Sequence, residues 1–92
     1  MTKEAIVARI VSELTNMTNL DPVKLNEGTP LIGRGAVIKS VQLVELMLAM
    51  EDFAEDELNA KFDWTSDVAM SSERSPFRSI GSLADTLAAL EQ

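Results

Sequence analysis

Ile38-Lys39-Ser40-Val41-Gln42-Leu43-Val44-Glu45-Leu46-Met47-Leu48-Ala49-Met50-Glu51-Asp52-Phe53 is the stretch from which the fold of this chain is read. Leu43, Leu46, Met47, Met50 and Phe53 recur at helical spacing, which predicts a helix from about Ser40 to Phe53 or a little beyond, with one side toward a core. Val44 and Leu48 are expected to widen that apolar sector, and Gln42, Glu45, Glu51 and Asp52 take the remaining positions. Ser40 falls at the helix start, where backbone amides have no partner inside the helix and where serine is a favoured N-cap. Such an end also suits an anion, because the unpaired amides coincide with the positive end of the helix dipole.

Upstream, Ile6, Ile10 and Leu14 stand four residues apart with Val7 and Val11 beside them, predicting a first helix from Thr2, its cap, to Leu14. Asn16 to Asn19 break the pattern. Pro22, Gly28, Pro30, Gly33 and Gly35 then punctuate a long connection, for which Leu25, Leu31, Ile32 and Val37 are the candidate apolar pins. Gly33-Arg34-Gly35 lacks both the third glycine and the preceding strand of a dinucleotide fingerprint, so it is read as turns.

Downstream of the central helix, Glu51, Asp52, Glu55, Asp56, Glu57 and Asp63 accumulate against Lys61 alone. A run of this kind is either a solvated helix end or a docking surface for basic partners. Phe62-Asp63-Trp64 and Val68-Ala69-Met70 suit a short extra helix or turn over the core, with Trp64 as filler. Ser71, Ser72 and Ser75 read as loop residues. Ser75-Pro76 ends whatever precedes it, and Ser79 caps a last helix with Ile80, Leu83, Leu87 and Leu90 on one face. The pattern implies one all-α domain over residues 1–92, a small four-helix bundle of three main helices and one short one, with a long loop between the first two.

Composition narrows the chemistry. With 46% apolar and 25% charged residues the chain is globular. It contains no cysteine and no histidine, which removes disulfides, thiol nucleophiles, imidazole bases and zinc fingers together. A net charge of −7 argues against nucleic acid as a ligand and for basic protein partners. No apolar run is long enough for membrane insertion, no secretory pattern opens the chain, and cytoplasm is the default location. Asp52, Asp56 and Asp63 lack the spacing and central glycine of a calcium loop, so no metal site is expected.

Ser40-Val41 followed by Val44-Glu45-Leu46 resembles the attachment motif of acyl and peptidyl carrier proteins. The approach to the serine, Pro30-Leu31-Ile32, Gly33, Gly35, Val37-Ile38 and Lys39-Ser40, is similar to that of free-standing carriers. Ser75-Pro76-Phe77-Arg78-Ser79-Ile80 resembles the Phe-x-Ser/Thr-Ile/Val run that leads into the family's last helix. The two matches come in the expected order and span most of the chain.

The resemblance implies that Ser40 receives 4′-phosphopantetheine from coenzyme A through a phosphopantetheinyl transferase, and that the arm's thiol holds an acyl or aminoacyl group as a thioester. On this reading the sulfur that the chain lacks is imported. The chain would be a monomeric, non-enzymatic shuttle in fatty acid, polyketide or other secondary metabolite biosynthesis, loaded by a ligase and read by downstream transferases. Lys39, Val41, Glu45, Glu51, Asp52, Glu55 and Asp56 are the candidate docking residues. Lys39 departs from the family pattern, which has Asp at this position: either a dedicated partner reads the cation, or modification has degenerated. Two other readings stand beside the carrier: a small acidic interaction module in which Ser40 is only a cap, and a carboxylate-dependent enzyme.

Overall fold

A computed structural model describes residues 1–62, 64 and 78–90. The described chain is all-α: helix α1 (Lys3–Met17), a single 3₁₀ turn (Pro22–Lys24), helix α2 (Ser40–Phe53) continued by a π-helical turn (Ala54–Leu58), and helix α3 (Ile80–Leu90). The short helix expected around Phe62 to Met70, and the loop serines Ser71, Ser72 and Ser75, lie largely or wholly outside the described residues.

Helix α1 starts as its sequence requires, with Thr2 Oγ1 accepting the Ala5 amide at 3.2 Å. It runs to Met17 rather than stopping at Leu14. Thr18 closes it, its amide and hydroxyl both donating to the Leu14 carbonyl, at 3.0 and 2.6 Å. Partly buried Met17 extends the contact with the core one turn beyond the aliphatic repeat. Ile6, Ile10 and Leu14 are fully buried, and α1 packs against both α2 and α3. Arg9 lies over the ring of Phe53, 5.3 Å from its centroid, and is held there by a 3.0 Å bond to Glu13. At α3, Ser79 Oγ accepts the Ser82 amide at 3.1 Å, and Ile80, Leu83 and Leu87 go into the core with Leu90 at its margin.

The long connection is pinned as its apolar residues suggested. Leu25 and Leu31 are buried, Ile32 and Val37 partly so, and Ile38 joins them. Backbone bonds do the rest, tying the connection to the start of α3. Leu31 N–H donates to the Arg78 carbonyl (2.8 Å), Ile80 N–H to Thr29 (3.0 Å), and Gly81 N–H to Glu27 (2.8 Å). Lys3 spans the same junction, 2.7 Å from Glu27 and 2.9 Å from Asp85. The hydrogen bond it donates to Glu27, then that to Asp85, raise its pKa above the ordinary lysine value. Gly33 and Gly35 both take φ of +83°, the left-handed region that glycine enters without strain, and turn the connection back toward α2.

Helix α2 buries Leu43, Leu46, Met47, Met50 and Phe53, the side that the repeat indicated. It does not bury Val44 and Leu48. These are 38% and 49% exposed, so the apolar sector is narrower than the sequence suggested. The reason is the layout: among the described helices, α2 is in contact with α1 and with its own π-helical continuation, which leaves the opposite flank open.

Candidate functional site

Helix α2 starts at Ser40, where its sequence places it, but its cap is the residue before. Lys39 is the N-cap, in extended conformation at φ −86° and ψ 165°, and Ser40 is the first helical residue. The register is set by burial on both sides, with Ile38 and Leu43 in the core, and the first intrahelical bond runs from the Leu43 amide to the Lys39 carbonyl at 2.9 Å. Ser40 is therefore not the cap. A lysine ammonium has donors only, so it cannot cap amides either. The amides of Ser40, Val41 and Gln42 precede the first helical bond and face outward with no side-chain cap. Gln42 does half of what a capping box would do: its Oε1 accepts the Lys39 amide at 2.8 Å.

A cavity of about 380 Å³ opens beside this helix start. Leu31, Ile38 and Leu43 form its buried part, and Ile32 and Ala36 continue the wall toward exposed Lys39 and Ser40 at the mouth. The wall on the loop side is fixed by Val37 N–H donating to the Pro30 carbonyl (3.1 Å) and Ala36 N–H donating to Gly33 (3.2 Å). An exposed hydroxyl, outward amides and an apolar recess thus meet within a few residues. This set suits a serine-linked phosphodiester whose continuation is a largely uncharged chain: the amides and the dipole face the anion, and the recess takes apolar atoms.

Of the residues singled out from sequence, Lys39, Ser40 and Val41 stand together at this end, all exposed. Glu45 is exposed along the helix. Glu51 is half-buried and Asp52 exposed in its last turn, and Glu55 and Asp56 lie exposed on the π-helical turn. At ~1.5 Å of rise per residue, Asp52 is about 20 Å from the N-cap, so the acidic group is no part of the serine's immediate surroundings. Val44 and Leu48 are the site residues that the sequence reading misplaced. With Val41, 63% exposed, they form a second apolar stripe at i, i+3 and i+7, separate from the buried one. The signal was present as an apolar set wider than one helix side can bury. Phe77 lies outside the described residues. Among the described residues no cluster of carboxylates is arranged to hold a metal ion, and no helix is long and apolar enough to cross a membrane.

No family model, curated protein or solved structure matches the chain.

Lys39→Asp is expected to stabilise the protein. Aspartate supplies the missing acceptor and completes the reciprocal pair with Gln42, a cap worth ~0.5–2 kcal/mol. It also replaces a cation by an anion at the positive end of the dipole, worth ~0.3–1 kcal/mol. A gain of about 1 kcal/mol should appear as a higher urea midpoint at unchanged slope. An unchanged midpoint would mean that Lys39 costs the helix nothing.

Proposed function

We propose that the protein is a free-standing carrier whose Ser40 accepts 4′-phosphopantetheine from coenzyme A. The observation that carries this reading is exposed Ser40 as the first residue of an uncapped helix, at the mouth of an apolar cavity. In the attachment, Ser40 Oγ forms a bond to the phosphorus next to pantetheine, and the pyrophosphate bond to the nucleotide breaks. Adenosine 3′,5′-bisphosphate leaves. The serine proton goes to a base on the transferase, since this chain has no histidine and adjacent helical residues such as Lys39 and Ser40 do not face each other. The bound arm supplies a thiol on which an acyl or aminoacyl group is held as a thioester. The outward amides of Ser40, Val41 and Gln42 would hold the phosphodiester beside the recess that Ile32 and Ala36 line.

On this reading the chain is a monomeric cytoplasmic shuttle rather than an enzyme. A loading ligase and downstream transferases are its partners, meeting Lys39, Val41, Glu45, Glu51, Asp52, Glu55 and Asp56. Incubation with coenzyme A and a broad-specificity phosphopantetheinyl transferase should add one arm, read as a single increment in intact mass. A chain that stays unmodified with several transferases is instead an acidic interaction module. That second reading has its own support in the exposed Val41, Val44 and Leu48, which need no arm to bind a partner.

A further inference from the structure

The recess beside Ser40 has its polar side chains at the mouth and hydrocarbon within. Lys39 and Ser40 stand exposed at the rim, while Leu31, Ile38 and Leu43 form a buried floor and half-buried Ile32 and Ala36 an aliphatic wall. The wall is held in place by the backbone, whatever enters it. Ala36 N–H donates to the Gly33 carbonyl at 3.2 Å, closing a turn in which Gly35 takes φ of +83°, and Val37 N–H donates to the Pro30 carbonyl at 3.1 Å. Leu31 N–H is fixed on the Arg78 carbonyl at 2.8 Å. At about 380 Å³ the recess has the scale of a small ligand site rather than of a packing defect.

We infer that the recess seats the geminal dimethyl group at the root of the arm and so fixes where the arm leaves the protein. The inference rests on the carrier reading and goes beyond it in naming which atoms the recess takes. In 4′-phosphopantetheine the quaternary carbon that bears the two methyl groups is separated from the phosphate by a single methylene, so attachment to Ser40 brings this carbon to the mouth of the recess. It is also the only branched hydrocarbon of the arm. A hydroxyl and the first of two amides follow it, and the aliphatic side chains of Leu31, Ile38 and Leu43 offer these no partner, so the arm turns outward after the dimethyl group. Polar rim and apolar floor thus repeat the order phosphodiester, then branched alkyl. Tethering makes a seat of this size effective, because the group is supplied at high local concentration to a wall that need not rearrange. The rival occupant is an apolar part of the cargo. It would have to double back past both amides to reach Ser40, and it would leave the dimethyl group in water. The thioester therefore lies outside the recess.

The test compares the unmodified protein, the protein carrying the natural arm, and the protein carrying an arm whose two methyl groups are replaced by hydrogen. Each arm is installed on Ser40 by a broad-specificity transferase from the corresponding coenzyme A, and the readouts are hydrogen exchange and methyl NMR. The natural arm should give nuclear Overhauser contacts from its methyl protons to Ile32, Ala36 and Leu43. It should also slow exchange of the Ala36 and Val37 amides roughly tenfold, the low end of what burying a valine-sized group supplies. The desmethyl arm should leave both amides at their unmodified rates. Ala36→Leu, checked for fold by circular dichroism, fills the recess: it should still gain the arm by intact mass, yet show neither the contacts nor the added protection. Equal protection by both arms, or methyl contacts elsewhere, would overturn the inference and leave the carrier reading standing. So would protection that appears only once the thiol is acylated, which would make the cargo the occupant. A chain that no transferase modifies loses the carrier reading and this inference together.

Discussion

Ser40→Ala should abolish attachment of the arm completely while leaving the protein as stable as the parent. The loss is all-or-none because only the side-chain oxygen can form the phosphodiester. The stability expectation follows from register. Had Ser40 been the N-cap, as its residue type suggested, alanine would cost ~0.5–2 kcal/mol. It is instead the first helical residue, with Lys39 at the cap. At that position serine contributes no cap bond, and alanine is the better helix former by a few tenths of a kcal/mol. The urea midpoint of Ser40→Ala should therefore match or slightly exceed that of the parent. Intact mass after exposure to coenzyme A and transferase separates the outcomes: one increment for the parent, none for the variant. An increment on Ser40→Ala would move the site to another hydroxyl, and a marked loss of stability would show that Ser40 caps α2 after all.

The contrast between residue type and register marks the limit of what the sequence makes legible. The buried sides and the starts of helices α1 and α3 can be read to the residue, because Ile6, Ile10, Leu14 and Ile80, Leu83, Leu87 repeat on one side and Thr2 and Ser79 cap them as threonine and serine commonly do, whereas the end of α1 runs on from Leu14 to Met17. Helix α2 is legible in extent but not in orientation at its margins. Periodicity identifies the centre of a buried side, while its width depends on how many neighbours the helix meets, which is a tertiary fact. Hence Val44 and Leu48 fall on the open flank. The cap falls on Lys39 rather than on Ser40 for a similar reason: burial of Ile38 and Leu43 fixes the turn, and the weak cap is tolerated. The long connection is recognisable from its prolines and glycines and from its apolar pins. Its backbone pairing to the start of α3 leaves no periodic trace, because main-chain bonds carry no side-chain signature.

That pairing makes Gly81 the position where sequence and structure give opposite signs. From sequence, a glycine inside a helix is a weak point, and Gly81→Ala would be expected to stabilise by roughly 0.5–1 kcal/mol through helix propensity. In the fold, a Cβ built on Gly81 meets the Glu27 carbonyl oxygen at 2.9 Å and the Glu27 Cβ at 3.0 Å. The first of these is the atom that accepts the Gly81 amide at 2.8 Å, so it cannot retreat without lengthening that bond. Neither contact is with the end of a flexible side chain. Overpacking of this kind costs ~1–3 kcal/mol, and a weakened hydrogen bond adds ~0.5–1.5 kcal/mol, which together outweigh the propensity gain. Gly81→Ala should therefore destabilise by about 1–2 kcal/mol, and Gly81→Val by more, since valine brings a larger side chain and loses the helix preference as well. The consequence extends to the site, because the segment from Glu27 to Leu31 that Gly81 anchors leads directly into the wall of the cavity beside Ser40. Hydrogen exchange should show the Leu31 and Val37 amides losing protection ahead of the α1 core in Gly81→Ala. A variant with a raised urea midpoint and unchanged protection would mean that α3 is not seated against the connection as described.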